Sequence, residues 1–215
     1  MSGNDIPDGI SAAVLAGGKS SRMGTDKALV PLAPGGPAML ELVLGVLRPV
    51  ASDLVIVASD RPAYGRFGVP VVPDRFSGAG VLGGIATALS YAQHDRCLVV
   101  ACDMPLINPE LLRFLVGIDP AADAVVPRTR ARSRQGGDVT FQPLHAVYHR
   151  RCLPAIERAL SGRRLSAIAF LADVHVRFVG ELVLRAIDPE LRSLMSVDTP
   201  ERLAEVRALL QASHD

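Results

Sequence analysis

The sequence has no excess of charge of either sign: 23 Lys and Arg stand against 22 Asp and Glu, a formal net charge of +1. That balance argues against a broad basic face for nucleic acid and points to a small partner. Cysteine is scarce. Cys97, Cys102 and Cys152 are odd in number and form no CxxC pair, which reads as reduced structural thiols rather than a disulfide framework. Long apolar runs are missing: no segment approaches the roughly 20 apolar residues of a membrane span. The start, MSGNDIPDGI, has neither the basic nor the apolar region of a leader, so the expectation is a soluble, cytoplasmic protein with no membrane association. His94, His145, His149, His175 and His214 lack the spacing of a zinc site. Repeats and low-complexity tracts are absent as well.

What is present is alternation. The 215 residues suit one sizeable α/β domain, 1–215. Short apolar runs at 10–16, 53–59, 69–74, 97–103 and 123–127 alternate with helical patterns at about 38–47, 81–92 and 109–116. Continuous rather than alternating hydrophobicity in the strands predicts a mostly parallel sheet covered on both faces. The expected fold is therefore α/β, a Rossmann-like three-layer α/β/α sandwich. In such sheets ligands bind beyond the carboxyl ends of the strands, where the loops 17–27, 59–61, 74–84 and 103–108 would gather. The second half is less regular. Residues 128–138, RTRARSRQGGD, read as an arginine-rich surface loop, 140–148 as one strand, 150–160 and 165–172 as helices, 173–180 as a strand, and TPERLAEVRALLQ from Thr199 as a capped helix.

The stretch ISAAVLAGGKSSRMGTDK contains GKS, the ending of a P-loop. A P-loop needs glycine five residues before the Gly-Lys pair, and that place is Ala13, inside the first strand. Gly17, Gly18 and Gly24 also miss the dinucleotide-binding spacing. What remains is a strand, a paired-glycine turn and the cations Lys19, Arg22 and Lys27, which suit a polyphosphate. A solvated connector is the alternative.

Three acids stand out. Asp103 ends the strand LVVACD, where a carboxylate can hold Mg²⁺ at a phosphate or cap the following helix. Asp198 in SVDTPE is a second candidate ligand or a local cap. Asp74 precedes FSGAGVLGGIATAL, whose glycines would let backbone approach a flat ligand while the carboxylate accepts from a base or ribose.

Taken together, LAGGKSSRMGTDKAL at 15–29, DRFSGAGVLGGIATAL at 74–89, ACDMP at 101–105, QPLHAVY at 142–148 and VDTPERL at 197–203 resemble the molybdenum cofactor guanylyltransferases, nearly along the whole chain. The resemblance implies a nucleotidyltransferase-type fold and Mg²⁺-dependent transfer of GMP from GTP to molybdenum-molybdopterin. Its nucleotide half would be N-terminal and its molybdopterin half C-terminal. It implies that Leu15, Ala16, Gly17 and Gly18 meet the guanine, that Arg22 and Lys27 hold the triphosphate, that Asp74 contacts the nucleotide and that Asp103 binds the metal. Gly17-Gly18 and Asp26-Lys27 favour GTP over CTP in this comparison. Arg163, Arg164 and the arginines of 128–134 could meet the acceptor phosphate. Molybdoenzyme chaperones or a molybdenum insertase are the implied protein partners. The chain departs from the family pattern at Ala58, at Gly80-Val81-Leu82-Gly83-Gly84 and at Ser196-Val197-Asp198, the last adding a carboxylate. A CTP- or sugar-phosphate-using transferase of the same fold, or a non-catalytic cofactor carrier, are the rival readings.

Overall fold

The computed structural model describes residues 9–17, 26–59, 61–130 and 139–212. Eight strands form one sheet: β1 (Ser11–Leu15), β2 (Asp53–Val57), β3 (Val71–Val72), β4 (Arg96–Ala101), β5 (Ala124–Arg130), β6 (Val139–Phe141), β7 (His145–His149) and β8 (Val176–Gly180). The order is β3-β2-β1-β4-β7-β5-β6, with β8 also paired to β5. β1 lies parallel to β2 and β4, β2 to β3, and β5 to β8, while β7 runs antiparallel to both β4 and β5. The central strands are buried on both faces, which explains why they read as unbroken apolar runs.

Alternate strand residues feed two cores. On one face Ala12, Val14, Ile56, Leu98 and Val100 meet α1 (Met39–Leu47), α3 (Pro109–Gly117) and α5 (Glu181–Ile187). On the other, Ala13, Val55, Val57, Cys97 and Val99 meet α2 (Gly80–Tyr91) and α4 (Leu153–Ser161). The three-layer α/β/α arrangement is thus as expected. α6 (Pro200–Ala212) joins through Leu203 and Val206, which pack with Leu32, Met39 and Val197.

Several local expectations need correction. The strand expected over 140–148 is two, β6 and β7, because Pro143 between them has no N–H to give a ladder. The run at 69–74 shrinks to Val71–Val72, flanked by Pro70 and Pro73. Residues Arg128–Arg130, read as loop, extend β5, since β6 and β8 both pair with its carboxyl half. The rest of that arginine-rich stretch, 131–138, lies outside the described residues. Only a 3-10 turn, Ala169–Asp173, replaces the helix expected over 165–172; the Ser166 hydroxyl accepts from the Ile168 and Ala169 N–H groups and closes a short turn there. α5 was not anticipated: it has seven residues and no side-chain cap.

Candidate active site

A cleft of about 560 Å³ opens at the carboxyl edge of β1, β2 and β4. Leu15, Ala16 and Gly17 form one wall as β1 ends, with the Ala16 N–H donating to the Val57 carbonyl at 2.9 Å. Among the described residues the nearest atoms to a Cβ on Gly17 would be the Val57 carbonyl oxygen at 3.8 Å and Ala58 Cα at 3.9 Å, ordinary contact distances. Gly18 and Arg22, together with Lys19, lie outside the described residues. Ala58 is buried, and the cleft residue at that edge is Ser59.

Lys27 lines the cleft at the start of a 3-10 turn, Lys27–Leu29. The turn is held by Asp26. Its carboxylate accepts from the Ala28 N–H at 3.2 Å and from the Tyr64 hydroxyl at 2.8 and 3.0 Å, and pairs with Arg61 at 3.4 Å. Asp26 therefore acts first as the clamp that sets the direction of Lys27. Tyr64 is fully buried, and sequence reasoning missed it because its partner is 38 residues away. Burial, with Asp26 adding, raises the Tyr64 phenol well above its ordinary value, so it stays a donor.

Asp103 follows β4 and faces the same cleft. It does not cap α3: Asn108 does, its side chain accepting from the Glu110 N–H at 2.9 Å. Burial pushes the Asp103 carboxyl above its ordinary value; Lys27 opposes the shift and Asp198 adds to it. The Asp103 carbonyl accepts from the Val197 N–H at 2.8 Å, and Lys27 Nζ donates to the Asp198 carbonyl at 3.1 Å. These two bonds bring the late segment, 171 residues from Lys27, to the cleft. The cap of α6 is Thr199, whose hydroxyl accepts from the Arg202 N–H at 3.2 Å. The capping reading of both acids thus passes to their neighbours.

Asp74 also lines the cleft, but its Oδ1 accepts from the Phe76 N–H at 3.0 Å and the Thr87 hydroxyl at 2.9 Å. The glycines after it divide. Gly78 and Gly80 have φ of 86° and 62° and line the cleft, where L side chains would be strained. Gly83 and Gly84 are tightly packed, where a Cβ would lie 2.8 Å from the Phe76 carbonyl oxygen and 2.7 Å from Leu15 Cδ1 respectively, and Gly84 lines the cleft as well.

Cys102, beside Asp103, has its thiol pushed up to about 12 by burial, with Asp103 and Asp26 adding. A thiol held neutral in this way is a poor nucleophile. Among the described residues no group of three or more His, Cys, Asp or Glu side chains could hold a metal. Two neighbouring carboxylates fit Mg²⁺ differently: the ion commonly takes one or two protein carboxylates and completes its shell with substrate phosphates and water. Burial, with Asp198 adding, raises the Asp103 carboxyl, and a bound cation would favour its charged form. Of the expected acceptor arginines, Arg163 and Arg164 do not line this cleft, and Arg164 pairs with Asp173 at 3.3 Å. No described helix is long and apolar enough to cross a membrane.

A mostly parallel α/β sheet with a glycine turn, a clamped lysine and adjacent carboxylates at its carboxyl edge is the architecture of a nucleotide-handling enzyme. In agreement, the family model described as "MobA-like NTP transferase domain" matches residues 12–176. A probable molybdenum cofactor guanylyltransferase of Pelotomaculum thermopropionicum is 39% identical over 200 residues, 93% of each chain. The molybdenum cofactor guanylyltransferase of Desulfosudis oleivorans is 34% identical over 207 residues, 95% of this chain and 98% of that one. Among solved structures, molybdopterin-guanine dinucleotide biosynthesis protein A from Archaeoglobus fulgidus has a TM-score of 0.78 at 28% identity, covering 94% of this chain and 99% of its own. The chain belongs to the MobA-like NTP transferase family.

Proposed function

We propose that this protein transfers GMP from GTP to molybdenum-molybdopterin, giving the guanine dinucleotide form of the cofactor and pyrophosphate. The observation that carries the reading is the convergence of Lys27, Asp103 and the Asp198 segment on one cleft, in a chain so similar to the guanylyltransferases. A terminal phosphate oxygen of the acceptor attacks the α-phosphorus of GTP. The new P–O bond forms as the bond to the bridging α–β oxygen breaks, and pyrophosphate leaves with that electron pair. No covalent protein intermediate is needed, and the neutral Cys102 thiol offers none.

The chain's task is to align two anions that repel each other. Lys27, fixed by Asp26 from one side and by the Asp198 carbonyl from the other, presents its charge to the phosphates, together with Arg22. Leu15, Ala16, Gly17 and Gly18 offer backbone edge to the guanine, and Asp74 the oxygen that Phe76 and Thr87 leave free. Asp103, with Asp198 beside it, would hold Mg²⁺, which when bound offsets the charge on the phosphates. The whole chain, 1–215, serves as one nucleotidyltransferase unit in the cytoplasm, its product passing to molybdoenzyme chaperones or a molybdenum insertase.

The test is pyrophosphate release with Mg²⁺ and molybdenum-loaded molybdopterin, comparing GTP, CTP and ATP. Release confined to GTP, lost in a folded Asp103→Ala variant, is the expected result. Preference for CTP would overturn the guanine reading of Leu15 to Gly18, and no release with any nucleotide would favour a carrier.

A further inference from the structure

Two acids share the cleft with Lys27: Asp26, which precedes it in the chain, and Asp103. Among the described residues, however, no carboxylate pairs with the Lys27 ammonium; its hydrogen bond goes to the Asp198 carbonyl at 3.1 Å. An ammonium held by a neutral acceptor keeps its charge for an incoming anion. A carboxylate one residue away is the obvious competitor for that charge, and something must hold it off.

The restraint comes from the turn after β2. Pro62–Phe67 is a 3-10 turn, begun by Pro62 and ended by Gly68 at φ 65°, a conformation that suits glycine. The Tyr64 ring is sunk in the same core cluster as Ala28, fully buried, with Phe67 tilted against it at 6.4 Å between ring centres. Packing on this scale fixes where its hydroxyl stands. That hydroxyl lies 2.8 Å from Asp26 Oδ1 and 3.0 Å from Oδ2. A donor shared almost evenly by both oxygens points the carboxylate fork at the phenol, and turning the fork would lose both contacts. Arg61, just before the turn, closes on Oδ2 at 3.4 Å, and the Ala28 N–H donates to Oδ1 at 3.2 Å.

Removing the hydroxyl leaves the Asp26 anion two courses. It can swing to the Lys27 ammonium and neutralise it, or it can stay as an under-bonded negative charge lining the cleft. Either course opposes a polyphosphate, the first by taking its cation and the second by repulsion. Both depend on the charge of Asp26, which separates them from a loss of packing.

We propose that Tyr64 is a positioning residue for the triphosphate: its hydroxyl turns the Asp26 carboxylate away from the Lys27 ammonium, so that the acid next to the cation shapes the turn without quenching it. The proposal rests on the nucleotidyl-transfer reading above, and on its phosphate side alone.

The experiment measures Kd by calorimetry for GTP and for inorganic tripolyphosphate, each with Mg²⁺, in the wild type, Tyr64→Phe, Asp26→Asn and the double variant, all first checked for cooperative melting above the assay temperature. Asn at 26 keeps an acceptor for the Ala28 N–H and removes the charge. Tyr64→Phe should raise Kd for both probes by about tenfold, the effect of one hydrogen bond to a charged group. Adding Asp26→Asn should reverse that loss, so that the double variant and Asp26→Asn agree within about twofold. Should Tyr64→Phe alone fail to fold, the comparison of Asp26→Asn with the double variant still decides, because without the charge the hydroxyl has nothing to restrain. A double variant that binds several-fold more weakly than Asp26→Asn, an unchanged Kd in Tyr64→Phe, or a loss confined to GTP overturns the proposal. A wild type that binds tripolyphosphate but transfers no nucleotide overturns the reaction reading and leaves this one standing.

Discussion

The cleft over β1 and β4 is walled largely by backbone edges, small residues and single charges, whereas a second cavity, over β5 and β6, is walled by long side chains that mostly pair with one another. The difference follows from the strands beneath. Parallel neighbours β2, β1 and β4 end in step and leave a row of loops at one edge, so glycines and strand-end residues can be placed by the sheet itself. Over β5 the partners are antiparallel on one side and parallel on the other, so its walls come from elements far apart in sequence, each carrying its own short-range ion pair. In the first region burial, with Asp198 adding, raises the Asp103 carboxyl; in the second most of the arginines are paired with glutamates.

The sharpest way to break this contrast is Asp103→Asn, which keeps the shape and removes the charge. Burial and Asp198 both act against the Asp103 anion. The variant should therefore melt at the same temperature or slightly higher, while kcat falls about 10³-fold, as for loss of a principal electrostatic group. A melting temperature several degrees lower, with activity lost in proportion, would make Asp103 a structural residue and put the two regions on the same plan.

The same contrast explains what could be read from the chain beforehand. β1, β4 and α1 to α3 were legible because a parallel strand buried on both faces announces itself as an apolar run, and Pro109 marks a helix start. The cleft residues were legible as the loops that follow strand ends: Leu15, Gly17, Lys27, Asp74 and Asp103 line one cleft. Illegible were the contacts that depend on distant chain. Tyr64 and Arg61 on Asp26, and the Val197 bond to Asp103, have no local signature. The glycines of 78–84 look alike in sequence, yet Gly78 and Gly80 face the cleft with positive φ, Gly84 both lines it and packs on Leu15, and Gly83 packs against the Phe76 turn. In the second half, a proline splitting one strand and arginines drawn into β5 hid the cavity walls.

His145 tests the seam between the regions, since it opens β7 opposite Val100. Its ring is fully buried, and both nitrogens lack a hydrogen-bond partner in the described structure. Burial pushes its pKa down from the ordinary 6.5 to about 4. The unfolded chain thus binds the proton more readily, so stability is complete above pH 6.5 and falls as pH drops toward 4. The loss over that window approaches about 3 kcal/mol. His145→Phe should remove this part of the acid limb, seen as a smaller difference between urea midpoints at pH 7 and pH 4.5. Equal pH dependence in both proteins would mean the seam takes up the charge without cost.

Two glycines give the smallest and most local test of how the first region is built. At Gly83 a methyl would sit 2.8 Å from the Phe76 carbonyl oxygen and 2.9 Å from Ala79 Cβ, so backbone must move. Gly83→Ala should cost about 1 to 3 kcal/mol of stability, the usual range for overpacking. At Gly17 the nearest described atoms are 3.8 and 3.9 Å from the same methyl, ordinary contact distances. Gly17→Ala should leave the urea midpoint unchanged and weaken GTP binding instead, because the space the methyl takes is space the nucleotide needs. If Gly17→Ala lowers stability as much as Gly83→Ala while GTP affinity holds, the turn is packed against protein rather than kept open for a ligand. The glycine that begins the cleft would then belong with the glycines that support it.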